Sequence, residues 1–198
     1  MFKTASFITL MTVSSLSLAS GFQLKVGASV LAPQNPDNGM VAGSKAEVSN
    51  ELNFTPSVEY FIGNSPFSVE LLLATPFEHD VSLQGMGEVA SFKHLPPTLT
   101  AKYNFAKDSQ FNPYIGIGAT SAITFSEKSP LGNLKADNTF GLAGQVGFNY
   151  KPKLDQNWGV FVDVRYAQVE ADLTLDGANI GTLEVNPWVY SLGYSYRF

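Results

Sequence analysis

An all-β fold, specifically an eight-stranded antiparallel up-and-down transmembrane β-barrel, is predicted by three observations. Apolar residues recur at every second position through eight segments, the period of a strand with one greasy face. No charged residue stands on those apolar faces, whereas the alternate faces carry charges on several strands. Of the 198 residues only 15% are charged. An average soluble domain has about 25%, so roughly 20 charged side chains are missing from a surface that water would have to solvate.

The segments follow in order. Phe22, Leu24, Val26, Ala28 and Val30 alternate with Gln23, Lys25, Gly27 and Ser29. The second apolar face is Leu52, Phe54, Val58, Tyr60 and Ile62, the third Phe67, Val69, Leu71, Leu73 and Phe77, and the fourth Leu95, Leu99, Ala101, Tyr103 and Phe105. Phe111, Ile115, Ile117, Ala119, Ile123 and Phe125 form the fifth, and Phe140, Leu142, Val146, Phe148 and Tyr150 the sixth. Trp158, Val160, Val162, Val164 and Tyr166 form the seventh, and Trp188, Tyr190, Leu192, Tyr194, Tyr196 and Phe198 the eighth. Each is as long as the roughly 9 to 11 residues of a tilted membrane strand. A charge facing lipid costs about 2–4 kcal/mol at the midplane, which accounts for the uncharged faces. Aromatics at the strand ends, as at Phe105/Phe111, Tyr150/Trp158 and Tyr196/Phe198, fit an interfacial girdle.

Residues 1–19 precede this pattern and read as a secretory signal peptide, with Lys3 at its start and Ser17-Leu18-Ala19 as a small-x-small cleavage site. Residues 20–198 then form one barrel domain. Connections 63–66, 106–110 and 151–157 are short, 33–47, 78–91 and 126–137 are longer, and 176–181 closes the last hairpin. In outer-membrane barrels short turns face the periplasm, so both termini are expected there. The chain lacks cysteine, which removes thiolate metal sites and Cys nucleophiles. Its net charge of −5 with no basic run argues against nucleic acid. Two histidines, His79 and His94, are too few for a metal centre without carboxylates such as Glu78 or Asp80. His94 shares a strand with Thr98 but with no inward Ser at catalytic spacing, so neither an enzyme nor a cofactor is expected.

The stretches LLLATPFEHD (71–80), FKHLPPTL (92–99), FNPYIGIG (111–118), FGLAGQVGFNY (140–150) and NPWVYSLGYSYRF (186–198) resemble the outer membrane protein W (OmpW/AlkL) family, which includes the alkane-uptake barrel AlkL. Asn186 stands where the family usually has Asp, and Phe140 where it has Trp. The resemblance implies a Gram-negative outer-membrane barrel, porin-like, with a narrow apolar channel for small hydrophobic molecules. It also implies lipid as the surrounding partner, the barrel assembly machinery reading the C-terminal Phe198, and, in some members, phage or bacteriocin reception or a stress-related structural role without transport.

The inward face divides by height. Lys25, Glu59, Glu70, Lys102 and Arg197 fall in the half near the short turns, with Asp163 and Arg165 midway; these seven are expected to pair as a lumen plug, because an unpaired buried charge is heavily penalised. Leu31, Leu72, Ala74, Pro76, Pro96, Ala143 and Val189 line the other half, with His94 at its mouth. If Glu70 lies opposite Lys102, Pro76 lies opposite Pro96. Pro76, Pro96 and Pro97 cannot donate ladder hydrogen bonds. They either form a lateral gate through which a solute leaves into the membrane or merely bend the strands.

Overall fold

The computed structural model describes residues 21–34, 40–73, 75, 77–83 and 87–198. The signal-peptide segment, Ala74 and Pro76 lie outside the described residues, as do the side chains of His79 and His94.

Eight continuous staves are divided by bends into ladder segments. Stave 1 is β1 (Phe22–Ala32) and β2 (Met40–Val41); stave 2 is β3 (Ser44–Val48), β4 (Glu51–Phe54) and β5 (Ser57–Phe61). Stave 3 is β6 (Phe67–Leu72) and β7 (Phe77–Leu83), stave 4 β8 (Gly87–Leu95) and β9 (Thr98–Asn104), and stave 5 the single β10 (Phe111–Lys128). Stave 6 is β11 (Leu134–Ala136) and β12 (Thr139–Tyr150), stave 7 β13 (Trp158–Ala167) and β14 (Glu170–Leu175), and stave 8 β15 (Ala178–Glu184) and β16 (Trp188–Arg197). Antiparallel pairing runs β1–β5–β6–β9–β10–β12–β13–β16 and returns to β1, with Lys25 opposite Ser195 and Trp158 opposite Tyr196. The barrel is closed, which leaves no strand edge in the apolar zone.

The longer connections are not the irregular loops their length suggested. Much of 33–47, 78–91 and 126–137 is strand, and β2, β3, β7, β8, β11, β14 and β15 pair side by side to prolong the wall beyond the barrel's loop end. Stave 7 shows why this escaped the alternation test. Up to Tyr166 its outward residues are apolar and its inward ones include Asp163 and Arg165. Beyond it the outward residues are Gln168, Glu170 and Asp172, and the buried ones Ala167, Val169, Ala171 and Leu173. The polarity of the two faces inverts along one strand, as it must where the outer solvent changes from lipid to water. Tyr166 packs against Trp188 at this boundary, ring centroids 5.2 Å apart. The other rim is marked by the ring pairs Phe22–Tyr60, Phe67–Tyr103, Phe111–Phe148 and Tyr196–Phe198.

Two inward rings that the search for charges passed over, Tyr114 and Phe161, fill the lumen's centre, and both are buried. They fit because the wall opposite is glycine. A Cβ on Gly193 would stand 2.8 Å from Phe161 Cε1, and one on Gly147 2.8 Å from Tyr114 Oη. Gly193→Val is therefore expected to cost about 1–3 kcal/mol by overpacking. A lower urea midpoint for the refolded barrel would show it.

Candidate functional site

The lumen is layered from the turn end upward. At its base the Arg197 guanidinium lies 4.0 Å from the centroid of the Phe61 ring. An amide layer follows: Gln23 Nε2 donates to Asn149 Oδ1 at 3.4 Å, Asn112 Nδ2 to Asn104 Oδ1 at 2.9 Å, and Asn104 Nδ2 to Ser68 Oγ at 2.9 Å.

Above it sits the ion cluster. The ladder places Glu59 directly opposite Glu70, a like-charge pair that repels by itself. The flanking staves neutralise it. Lys25 Nζ lies 2.9 Å from Glu59 Oε2 and 3.0 Å from Glu70 Oε2, and Lys102 Nζ lies 2.8 and 2.7 Å from the same two atoms. Lys102 Nζ also stands 3.7 Å from the Tyr114 ring centroid. Arg165 Nη2 extends the group to Glu70 Oε1 at 3.2 Å and Asp163 Oδ2 at 3.7 Å, and Tyr114 Oη donates to the same Asp163 oxygen at 3.2 Å. Six of the seven charges expected inside thus meet in one cluster, three cations against three anions. Arg197 does not join it. The lysines already balance the two glutamates, and the Phe61 face lies within reach of Arg197.

The register is not the one with Glu70 opposite Lys102. Glu70 lies opposite Thr100, and Lys102 opposite Ser68. Lysine is long enough to reach Glu70 diagonally, so the ion pair does not require direct opposition.

A hydroxyl belt covers the cluster. Ser29 Oγ meets Thr55 Oγ1 at 2.6 Å and Ser191 Oγ at 2.8 Å, and Thr98 Oγ1 donates to Thr120 Oγ1 at 3.0 Å. Beyond it the lumen is apolar, with Leu31, Ala143, Ala167, Val169 and Leu183 buried together and Val189 packed against them. A cavity of about 20 Å³ lies between belt and apolar zone; Leu31, Leu72, Pro96 and Val189 line it, with Arg165 and the three threonines on its polar side. It has room for about one water. Of the expected lining residues, these four meet at the cavity and Ala143 packs in the zone beyond it. Thr55, Thr120 and Pro187 were not anticipated, although their inward parity was available.

The wall beside this cavity includes Pro96, which has no N–H for the ladder. The ladder between staves 3 and 4 ends at Leu72 opposite Thr98 and resumes at Phe77 opposite His94. The expectation that Pro76 lies opposite Pro96 falls on a residue outside those described. The backbone N–H groups of Leu73 and Thr75 continue the pairing with stave 2, donating to the carbonyls of Pro56 and Phe54. On the other side Ser121 N donates to the Pro97 carbonyl at 3.1 Å.

A closed eight-stave barrel with an apolar exterior, aromatic rims and its charges inside is a transmembrane barrel of the bacterial outer-membrane class. A family model described as "OmpW family" matches residues 19–198, and the chain belongs to that family. It is 32% identical to Outer membrane protein W of Vibrio cholerae over 187 residues, covering 86% of this chain and 85% of that protein. It is 27% identical to Outer membrane protein AlkL of Ectopseudomonas oleovorans, covering 85% and 75%. The crystal structure of the outer membrane protein OprG from Pseudomonas aeruginosa superimposes with a TM-score of 0.79 at 27% identity, covering 91% of this chain and 97% of that one. The family's usual Asp is replaced by Asn186, which adopts a φ of 37°. Asn tolerates that left-handed region, and its Oδ1 accepts from Val169 N at 2.9 Å, so the bend of stave 8 between β15 and β16 is tied to stave 7.

Proposed function

We propose that this outer-membrane barrel passes small hydrophobic molecules and releases them sideways into the membrane. The short turns and both termini face the periplasm. A solute enters from the outer opening, reaches the apolar zone at Leu31, Leu72 and Val189, and leaves between staves 3 and 4. The observation that carries this reading is Pro96, which lines the cavity from the side of stave 3 and has no N–H to give to the ladder. Leu73 and Leu99 flank it on the outer face, 44% and 54% exposed, so the wall there is apolar on its outer side. The axial route is obstructed by six paired charges and two rings, through which an apolar solute would have to break salt bridges. The alkane uptake implied by the family resemblance agrees with this path.

Replacing both Pro76 and Pro96 by Val restores two potential ladder donors. Uptake of a hydrophobic substrate by cells is expected to fall several-fold at equal barrel abundance, and unchanged uptake would refute the lateral exit.

A further inference from the structure

Arg165 is 3% exposed and lines the cavity floor. Its Nη2 is committed to Glu70 and Asp163. Its Nε is buried and meets no acceptor among the described residues. The nearby threonine hydroxyls give their protons elsewhere, Thr98 to Thr120 and Thr55 toward the Gly27 carbonyl, and none accepts from Nε. A buried donor without a partner calls for an explanation, and this one lies where an apolar route meets a polar floor.

We propose that Arg165 is a binding residue for the polar end of a single-chain amphiphile. A small uncharged head with one oxygen, such as an alcohol or aldehyde, accepts from Nε, and the apolar tail passes beside Pro96 toward the lipid. The inference rests on reading the apolar lumen as a solute route and adds which end of the solute enters first. Three features select this chemistry. The cavity of about 20 Å³ admits a water-sized group and not a chain, so the head alone fits and the tail must leave beside Pro96. A pure alkane would leave the Nε proton buried and unpaired. A carboxylate would add a fourth anion to a cluster whose three cations and three anions already balance, and would be desolvated to do so.

The chain contains two arginines, Arg165 and Arg197, so Nε-labelled arginine gives one reporting signal and one internal control. The barrel in lipid nanodiscs would be titrated with octane, 1-octanol and octanoate at equal mole fraction in the lipid. Octanol is expected to shift the Arg165 Nε signal and leave Arg197 in place, to bind roughly tenfold more tightly than octane, as one hydrogen bond to a charged donor allows, and to outcompete octanoate. Arg165→Lys keeps a cation for Glu70 but removes Nε, and should reduce the octanol-to-octane preference to about one. Should that variant fail to fold, the wild-type Arg165 signal decides alone. Equal binding of octane and octanol, with methyl shifts at Leu31, Leu72 and Val189 from both, would overturn the head-group role and leave the route intact. Tighter binding of octanoate would overturn the uncharged head. Absence of methyl shifts with all three probes would overturn the route itself.

Discussion

Glu70→Gln is expected to destabilise the folded barrel by about 3–5 kcal/mol, the usual consequence of removing one member of a buried ion pair. The carboxylate is a hub: Lys25 and Lys102 share its Oε2, and Arg165 takes its Oε1. Without its charge the cluster has three cations against Glu59 and Asp163, all almost wholly enclosed. An amide can accept one hydrogen bond from each lysine in turn but offers neither enough acceptors nor the Coulomb attraction. Glu59→Gln leaves the same net charge, yet spares the contact with Arg165 and should cost less. The control is Glu70→Gln combined with Arg165→Gln, which restores neutrality and should recover more than half of the loss. Urea titration of the barrel in lipid vesicles, read by the gel shift between folded and unfolded forms, measures all three. A loss below about 1 kcal/mol for the single variant, the range of exposed pairs, would mean that water reaches the cluster. The plug would then not close the axial path.

What could be read from the sequence followed from the physics of each zone. Within the lipid belt the two faces of a strand differ so sharply in transfer energy that period-two alternation suffices. The outward assignment of residues such as Ile117, Phe140 and Leu192 is matched by exposures of 70%, 75% and 62%. Above the belt the outer face meets water and the inner face is apolar. β14 therefore loses the signature on which the strand reading depends, and the alternation of the seventh segment stops at Tyr166. Charge pairing between Glu70 and Lys102 was legible because buried charges must be compensated; their register was not, because a flexible lysine satisfies the pair from a position two residues away. The centrality of Tyr114 and Phe161 needed the third dimension. Each fills space left by glycines on other staves, Gly147 for one and Gly27 with Gly193 for the other, and no spacing along the chain links them. Arg165 was visible as a charge, but its unpartnered Nε emerges only once every neighbour's hydrogen bonds are assigned.

Leu192→Arg is expected to destabilise the barrel in a bilayer by about 2–4 kcal/mol. Leu192 lies on β16 midway between the rim residues Trp188 and Tyr196 and faces outward, 62% exposed. In a water-soluble barrel a leucine this exposed could become arginine at almost no cost, and the loss of an exposed apolar group would even favour solubility. In lipid the guanidinium must be dehydrated or must drag headgroups and water inward, and neighbouring Tyr190 and Tyr194 provide no counter-charge. The same substitution at Asp172, on the outer face of β14 beyond the Tyr166–Trp188 boundary, should cost less than about 1 kcal/mol, because it forfeits only the exposed hydrogen bond that Thr182 Oγ1 donates to its carboxylate. The pair of variants thus tests the boundary itself. Refolding into vesicles of di-C12 and di-C18 lipids should show the Leu192→Arg loss in both and Asp172→Arg tolerated in both. If Asp172→Arg were as damaging as Leu192→Arg, the polarity inversion along stave 7 would not mark the edge of the membrane.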